Sequence, residues 1–299
     1  MTLGVAIGTL AGAILILSAG VTAAQGPTAC AAAPIGSFVV KILNRVPLVT
    51  ASANGKPVTF VLDTGAQQTA LVQSAAERIG GETPNIEFSR QMRGIANSVQ
   101  TREVELRSFS INGVALPGRR VRVIPSIPSL PADGLFGIDS LGQFDLDFDM
   151  SQGRIVLYRQ RSCDTPNWPR PYTTLEAVGM PGSLPHFSVH LDGRKITAAI
   201  DTGTQRTTLT AKAAAELGVT EGVLARDRAI TVRGAATEQI SSHIHQFSQL
   251  RLGDLLITNP EIVVSNVSFR GVDMLLGMDI LSTRRFWISH TARRIFIAK

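Results

Sequence analysis

One short pattern occurs twice in this chain, and each copy places a carboxylate at the end of an apolar strand. Residues 60–71 read F-V-L-D-T-G-A-Q-Q-T-A-L, and residues 198–209 read A-A-I-D-T-G-T-Q-R-T-T-L. A carboxylate buried alone in such a setting costs free energy. The matching positions of Asp63 and Asp201 therefore suggest that the two groups lie together and compensate each other.

The repeat extends beyond this pattern and organises the chain into two similar units. The two aspartates are 138 residues apart, and the offset becomes 140 further on, where D-G-L-F-G-I-D-S-L (133–141) aligns with D-M-L-L-G-M-D-I-L (273–281). The closing segments R-I-V-L-Y (154–158) and R-I-F-I-A (294–298) keep the second offset. Two copies of one unit, differing by one short insertion, are the simplest explanation.

Each unit is expected to be mostly β. With 299 residues, 44% of them hydrophobic, the chain is long enough for two domains with sizeable cores. Asn54-Gly55 and Asp192-Gly193 lie between apolar runs, which predicts a hairpin in each unit. A short alanine-rich helix ending at a glycine follows each repeated pattern. The F-D-L-D-F-D stretch (144–149) alternates in polarity and predicts a half-exposed strand.

The predicted domain boundaries follow from the repeat and from composition. They are a signal peptide or N-terminal anchor (1–24), a flexible mature N-terminus (25–35), an N-terminal lobe (36–158), a linker rich in Pro and Arg (159–182) and a C-terminal lobe (183–299).

The N-terminal segment predicts export. No charged residue precedes Lys41, and the small residues of V-T-A-A-Q suit cleavage after Ala23 or Ala24. The apolar stretch is also long enough to span a bilayer uncleaved. We therefore expect a periplasmic or secreted protein, and leave open whether it is released or anchored through this segment.

The chain has two cysteines, Cys30 and Cys163. In an exported protein this even number favours a disulfide. Two unpaired thiols are the alternative, because sequence spacing does not fix the Cα separation that a disulfide needs.

Two adjacent carboxylates can hydrolyse an amide. One proton is shared between them because both cannot comfortably ionise. The ionised member can take a proton from a water molecule, and the protonated member can donate to the carbonyl oxygen that the water attacks, without metal or covalent nucleophile. Gly65 and Gly203 allow a sharp turn that brings backbone N–H groups close to the carboxylates. The hydroxyls of Thr64 and Thr202 can bond to the backbone of the opposite lobe.

V-L-D-T-G-A-Q-Q-T and A-I-D-T-G-T-Q-R-T resemble the active-site turn of retropepsin-like aspartic proteases, and L-F-G-I-D and L-L-G-M-D resemble that family's second signature. The resemblance covers about 36–299, once per half. It implies an all-β fold of two tandem β-barrel lobes with short helices, and an active site at the pseudo-twofold interface with Asp63 and Asp201 catalytic. It also implies that Asp139 and Asp279 are structural.

The resemblance further implies two flaps, which are glycine-bearing hairpins that close over a bound peptide. The candidate flap residues are Arg93, Gly94 and Ile95 in the first unit and Arg233, Gly234 and Ala235 in the second.

One residue beside the second turn carries its own hypothesis. Arg206 lies close to Asp201 in sequence, and we expect its charge to depress the pKa of that carboxyl.

Other functional classes find little support. The net charge is +6, but the arginines are scattered in pairs without a basic stripe, so nucleic-acid binding is not expected. His243 and His245 lack a third ligand, so no metal is expected, and no cofactor is expected either.

The sequence as a whole predicts an exported, monomeric aspartic endopeptidase that binds a polypeptide substrate in extended form. The alternative is an exported peptide-binding or scaffolding protein that keeps the cleft with little or no turnover. A membrane-tethered structural factor is a third class, but it leaves the duplicated D-T-G unexplained.

Overall fold

The computed structural model describes residues 1, 33–81, 90–93, 98–127, 130–160, 165–169, 171–178, 184–233, 239–269, 271–290 and 292–299. Apart from Met1, the predicted signal peptide or anchor (1–24) lies outside the described residues, as do most of the predicted flexible segment (25–35) and both cysteines, Cys30 and Cys163. No helix in the described ranges is both long and apolar enough to cross a bilayer.

Elements of the first half are β1 (Gly36–Val39), β2 (Lys41–Leu43), β3 (Val46–Ala53), β4 (Lys56–Leu62), β5 (Ala70–Val72), α1 (Gln73–Ile79), β6 (Arg90–Arg93), β7 (Ser98–Glu105), β8 (Phe109–Ile111), β9 (Val114–Ala115), β10 (Arg120–Ile124), β11 (Gly134–Phe136), α2 (Ile138–Leu141), β12 (Phe144–Asp149) and β13 (Arg154–Arg159).

Elements of the second half are β14 (Tyr172–Glu176), β15 (His186–Leu191), β16 (Arg194–Ile200), β17 (Thr208–Thr210), α3 (Ala211–Glu216), α4 (Glu221–Leu224), β18 (Arg228–Arg233), β19 (Gln239–Gln246), β20 (Gln249–Leu252), β21 (Leu255–Thr258), β22 (Glu261–Ser265), β23 (Met274–Leu276), α5 (Met278–Leu281), β24 (Arg285–Ser289) and β25 (Arg294–Ala298).

The two lobes have the same sheet topology. The N-terminal lobe orders its strands β6-β7-β10-β5-β11-β4-β3-β8-β9, with β2 added beside β3. The C-terminal lobe orders its strands β18-β19-β22-β17-β23-β16-β15-β20-β21, which is the same path strand for strand. The predicted mostly-β fold with two tandem lobes is therefore confirmed.

Local sequence explains the hairpins and helices of each lobe. Asn54 and Gly55 have φ of 51° and 76° and connect β3 to β4, as the N-G signal predicts. Asp192 and Gly193, with φ of 47° and 81°, connect β15 to β16 in the same way. Helix α1 ends at Gly80, whose φ of 66° places it in the left-handed conformation that favours glycine.

A third sheet joins the lobes, and we call it the interlobe sheet. Its strand order within the described residues is β1-β13-β12-β24-β25-β14, so the central pair, β12 and β24, comes from opposite lobes. Phe148 of β12 stacks on Phe286 of β24 with ring centroids 4.5 Å apart, and both belong to the main hydrophobic core. This sheet carries that core continuously from one lobe to the other.

The prediction of a half-exposed strand at 144–149 is wrong. Every residue of β12 is buried, including Asp145, Asp147 and Asp149. Apolar and acidic residues do alternate along β12, but both faces of the strand are buried by other parts of the protein. Leu146 and Phe148 face the main core, while Asp147 on the other face contacts Trp168 of the linker.

The range predicted as a linker is partly built into the fold. Residues 172–176 form β14, which pairs along its length with β25 at one edge of the interlobe sheet. Trp168 is only 9% exposed and packs in an aromatic cluster with Trp287 and Phe296. This segment therefore covers the interlobe sheet as well as connecting the lobes.

Candidate active site

Asp63 and Asp201 lie at corresponding ends of β4 and β16, directly after the last strand residue. The Asp63 N–H donates to the Phe136 carbonyl and the Asp201 N–H donates to the Leu276 carbonyl, each at 3.0 Å. These carbonyls belong to β11 and β23, which run parallel to β4 and β16. The second repeated segment of each unit therefore holds the aspartate in position through a backbone hydrogen bond.

The two carboxylates meet across the lobe interface. A Cβ added to Gly65 would lie 2.5 Å from Asp201 Cγ, and one added to Gly203 would lie 2.6 Å from Asp63 Oδ2. No side chain larger than hydrogen fits at either glycine. Close approach of the opposite carboxylate, in addition to the predicted turn, therefore explains why glycine follows the threonine in both copies.

Reciprocal hydrogen bonds between threonines hold the lobes together beneath the carboxylates. The Thr64 hydroxyl donates to the Ile200 carbonyl at 2.9 Å and accepts from the Thr202 N–H at 3.1 Å. The Thr202 hydroxyl donates to the Leu62 carbonyl at 2.8 Å and accepts from the Thr64 N–H at 3.0 Å. Both side chains are fully buried, so these bonds are shielded from competing water.

A second pair of threonines supports each turn from behind. Thr69 donates through its N–H and its hydroxyl to Asp139 Oδ1, at 2.9 and 2.7 Å, and its hydroxyl accepts from the Gly137 N–H. Thr207 makes the same contacts with Asp279. This geometry agrees with the expectation that Asp139 and Asp279 are structural.

Sequence reasoning left Thr69 and Thr207 out of the predicted site. The available signal was the threonine four residues beyond each D-T-G glycine. Without a structure, nothing indicated that its partner would be the aspartate of the second repeated segment, some seventy residues further along the chain.

The environment favours one proton shared by the two carboxylates. Both are half-buried. Desolvation and then the Asp201 charge hold the pKa of Asp63 well above its usual range, although the Ala66 N–H opposes this with a 2.9 Å bond. Desolvation also raises the pKa of Asp201, opposed by the Gly203 N–H at 2.8 Å. Burial thus makes each carboxyl hold a proton more tightly than an exposed aspartate does.

The expectation for Arg206 is wrong. Its guanidinium approaches the Glu261 carboxylate at 4.0 Å, and the charge of Arg206 is not among the causes that shift the pKa of Asp201. The pKa of Asp201 is raised by desolvation, not depressed.

The flap predictions fall on two hairpins whose tips lie outside the described residues. Strands β6 and β7 pair from Arg90↔Thr101 to Arg93↔Ser98, and β18 and β19 pair from Arg228↔Ile244 to Arg233↔Gln239. Arg93 and Arg233 are the last residues before the two tips, and Arg233 is exposed. The other candidates are not described: Gly94, Ile95, Gly234 and Ala235.

Of the two histidines considered as metal ligands, His245 has another partner. Its Nδ1 lies 2.7 Å from Asp227 Oδ2, and its ring packs edge-on against Phe247. In the described ranges no three His, Cys, Asp or Glu side chains are grouped as metal ligands would be.

Comparisons with known proteins match both halves separately. Residues 49–140 match the sequence model of a family described as aspartyl protease, and residues 187–283 match one described as gag-polyprotein putative aspartyl protease. The UBA domain-containing protein Mud1 of Schizosaccharomyces pombe (strain 972 / ATCC 24843) is 33% identical over 94 residues, which cover 31% of this chain and 27% of that protein. The similarity to Mud1 thus spans about a quarter of the relative's length.

Proposed function

Because this chain belongs to the retropepsin-like aspartic protease family, we propose that it is an aspartic endopeptidase that hydrolyses polypeptides with water activated between Asp63 and Asp201. The observation that carries the proposal is the meeting of these carboxylates across the lobe interface, each against the turn glycine of the other lobe. A binding protein needs neither the second carboxylate nor its contact with the first.

The two carboxylates take different roles in the free enzyme. The ionised member of the pair acts as the general base toward the water. The other member holds the shared proton and donates it to the carbonyl oxygen of the scissile peptide, which stabilises the tetrahedral intermediate. The proton taken from water then passes to the leaving amine as the C–N bond breaks.

The substrate lies in extended form between the dyad and the two flap hairpins. An extended peptide presents N–H and C=O groups on both edges, and hairpin strands can pair with such edges while alternate side chains occupy separate pockets. The β6–β7 and β18–β19 hairpins supply one such element from each lobe.

We also propose that the protein acts after export, because of the uncharged apolar stretch at 3–24. N-terminal sequencing of the protein recovered from its native compartment tests this. A mature chain starting near residue 25 supports cleavage, and an intact terminus in the membrane fraction supports anchoring.

The test of catalysis compares the wild type with Asp63→Asn and Asp201→Asn on an unstructured peptide mixture from pH 3 to 8. Loss of either acid–base member is expected to lower kcat by about 10²- to 10⁴-fold. Asp254→Asn is the matched control, because the Asp254 carboxylate is exposed and pairs with Lys299 at the protein surface. It should keep full activity.

Two results would contradict the proposal. One is cleavage by both Asp63→Asn and Asp201→Asn at the wild-type rate. The other is a folded wild type that cuts nothing at any pH, which would favour the alternative of a peptide-binding protein without turnover.

A further inference from the structure

Pseudo-symmetry between the lobes breaks at the centre of the interlobe sheet. The counterparts of Asp145, Asp147 and Asp149 on β12, by the offset of 140, are Arg285, Trp287 and Ser289 on β24. All three aspartates are buried, so their charges must be met by partners inside the protein.

Strand β24 and the linker supply most of those partners. Asp147 accepts two bonds from Arg285, at 2.9 and 2.6 Å, and one from Trp168 Nε1 at 3.2 Å. The Arg285 guanidinium also lies 5.1 Å from the centre of the Trp168 ring. One cation from the C-terminal lobe thus neutralises the most central carboxylate of the N-terminal lobe.

The two outer aspartates also have partners. Asp145 accepts from the Ser289 hydroxyl at 3.2 Å and from the His290 N–H at 2.9 Å, both in the C-terminal lobe. Asp149 accepts from the Ser151 hydroxyl of its own lobe and lies 4.0 Å from Arg285. Each carboxylate of β12 therefore has a donor or a cation on the β24 side.

The register of β12 and β24 predicts which residues would face each other if either strand paired with a second copy of itself. Asp147 lies opposite Trp287, its own counterpart, so the pseudo-twofold axis passes through this pair. In the same register, β12 against a second β12 places Asp147 opposite Asp147 and Asp145 opposite Asp149. Two buried Asp147 carboxylates would then face each other without Arg285, which is strongly unfavourable.

Pairing of β24 with a second β24 is unfavourable for a different reason. Strand β24 against a second β24 places Arg285 opposite Ser289 and removes the Asp147 carboxylate from the half-buried guanidinium. A partly desolvated cation without its anion is also unfavourable.

We infer that β12 and β24 each select the other and reject a copy of themselves, so that the N-terminal lobe pairs with a C-terminal lobe and not with a second N-terminal lobe. The interlobe sheet is then a selective surface whose partner is the opposite lobe. This selection keeps Asp63 with Asp201 and excludes sites built from two copies of one aspartate, and it does not depend on turnover.

The test starts from the full chain with a specific protease site inserted between Ser162 and Cys163. The purified protein is nicked, unfolded in urea under reducing conditions, and refolded by dilution so that the two fragments choose partners freely. Native mass spectrometry then distinguishes mixed pairs from pairs of one fragment by mass. Mixed pairs are expected to exceed both kinds of like pair by at least tenfold. Like pairs in comparable amounts, or an absence of mixed pairs, would overturn the inference.

A variant tests whether the charges set the choice. Asp147→Ala with Asp149→Arg places the new arginine opposite Asp145 of a second copy, and opposite Arg285 in the mixed pair. Pairs of the N-terminal fragment should now appear, and the ratio of mixed to like pairs should fall at least tenfold.

The matched control changes charge elsewhere. Glu176→Gln with Asp254→Asn alters two exposed carboxylates that pair with Arg294 and Lys299, and the control should pair as the wild type does. If the β12 variant also keeps the wild-type ratio, the charges do not select the partner and the inference is wrong.

Discussion

The hydroxyls of Thr64 and Thr202 each serve as donor and acceptor across the lobe interface, which makes single substitutions informative. In Thr202→Val, the Thr64 N–H and the Leu62 carbonyl lose their partner in a buried site. Each unpaired buried group costs about 1–3 kcal/mol, so the free energy of unfolding should fall by roughly 2–6 kcal/mol.

Urea denaturation of Thr202→Val beside Thr202→Ser measures this effect. The serine keeps a hydroxyl at the same place and should stay within about 1 kcal/mol of the wild type. Equal losses in the two variants would show that packing of the methyl group, and not the hydrogen bonds, supports the interface.

Gly65 tests the contact between the carboxylates and the turn. In Gly65→Ala the new methyl group overlaps the Asp201 carboxylate, with its Cβ 2.5 Å from Asp201 Cγ, so this carboxylate must move. We expect kcat/KM for peptide cleavage to fall at least tenfold, or about 1.4 kcal/mol in transition-state stabilisation, because the dyad is displaced. Circular dichroism should remain that of a folded β protein.

Gly222→Ala is the matched control for this change. A methyl group at Gly222, within helix α4, meets nothing nearer than Thr220 Oγ1 at 3.9 Å. Its activity should equal that of the wild type, and an equal loss in both variants would contradict the explanation.

At the scale of secondary-structure elements, the central pair of the interlobe sheet depends on one ion pair, between the buried Asp147 and the half-buried Arg285. Arg285→Met removes the cation that Asp147 contacts at 2.6 Å and leaves a buried carboxylate uncompensated. Breaking such a pair costs about 3–5 kcal/mol. Arg294→Met is the control, because the Arg294–Glu176 pair is exposed and such pairs contribute about 0–1 kcal/mol. In chemical denaturation, the free energies of unfolding of the two variants should differ by at least about 2 kcal/mol. Similar losses would contradict the importance given to the Arg285–Asp147 pair.

Strands and turns with a local signal were predictable from the sequence. Asn54-Gly55 and Asp192-Gly193 specify hairpins through residues that tolerate positive φ, so a few neighbouring residues suffice. The burial of β12 was not predictable in this way. Its alternation of apolar and acidic residues normally predicts one solvent-exposed face. Here that face is buried by contacts with Trp168 and with residues of β24, which are distant in sequence.

At the scale of the whole molecule, the stability of the fold should depend on pH through a buried histidine. Burial lowers the pKa of His290 to about 4 from its usual 6.5. The unfolded chain therefore takes up this proton first, and stability is lost as the pH falls from about 6.5 to about 4. The shift corresponds to a loss on the order of 3 kcal/mol. The raised pKa values of Asp63 and Asp201 act in the opposite direction, so the difference between variant and wild type is the quantity to measure.

Urea denaturation of His290→Phe and wild type at several pH values isolates this contribution. The variant should lose less stability than the wild type between pH 6.5 and 4. His190→Phe is the control, because His190 is exposed on β15 and its replacement should leave the wild-type pH dependence unchanged. If the free energy of unfolding fell equally with pH in His290→Phe and in the wild type, His290 would not contribute to the loss of stability in acid.

The duplicated architecture was predictable from the sequence because the repeat preserves both spacing and residue type. The pairing of Asp63 with Asp201 followed from the cost of burying either carboxylate alone. The contact of Arg206 with Glu261 was not predictable, because two residues 55 positions apart in sequence meet only once β17 and β22 pair. The boundaries of the N-terminal segment and the roles of the flap tips stay predictions.

The reciprocal threonine bonds also determine how a substrate can enter. Because every one of these four bonds joins one lobe to the other, any rotation that widens the cleft from below must break them together. All four bonds therefore oppose separation of the lobes at the floor of the cleft. For the proposed endopeptidase, we therefore expect a long chain to enter and leave through movement of the β6–β7 and β18–β19 hairpins. If the chemical step is faster than that movement, we expect the movement to set the rate of product release.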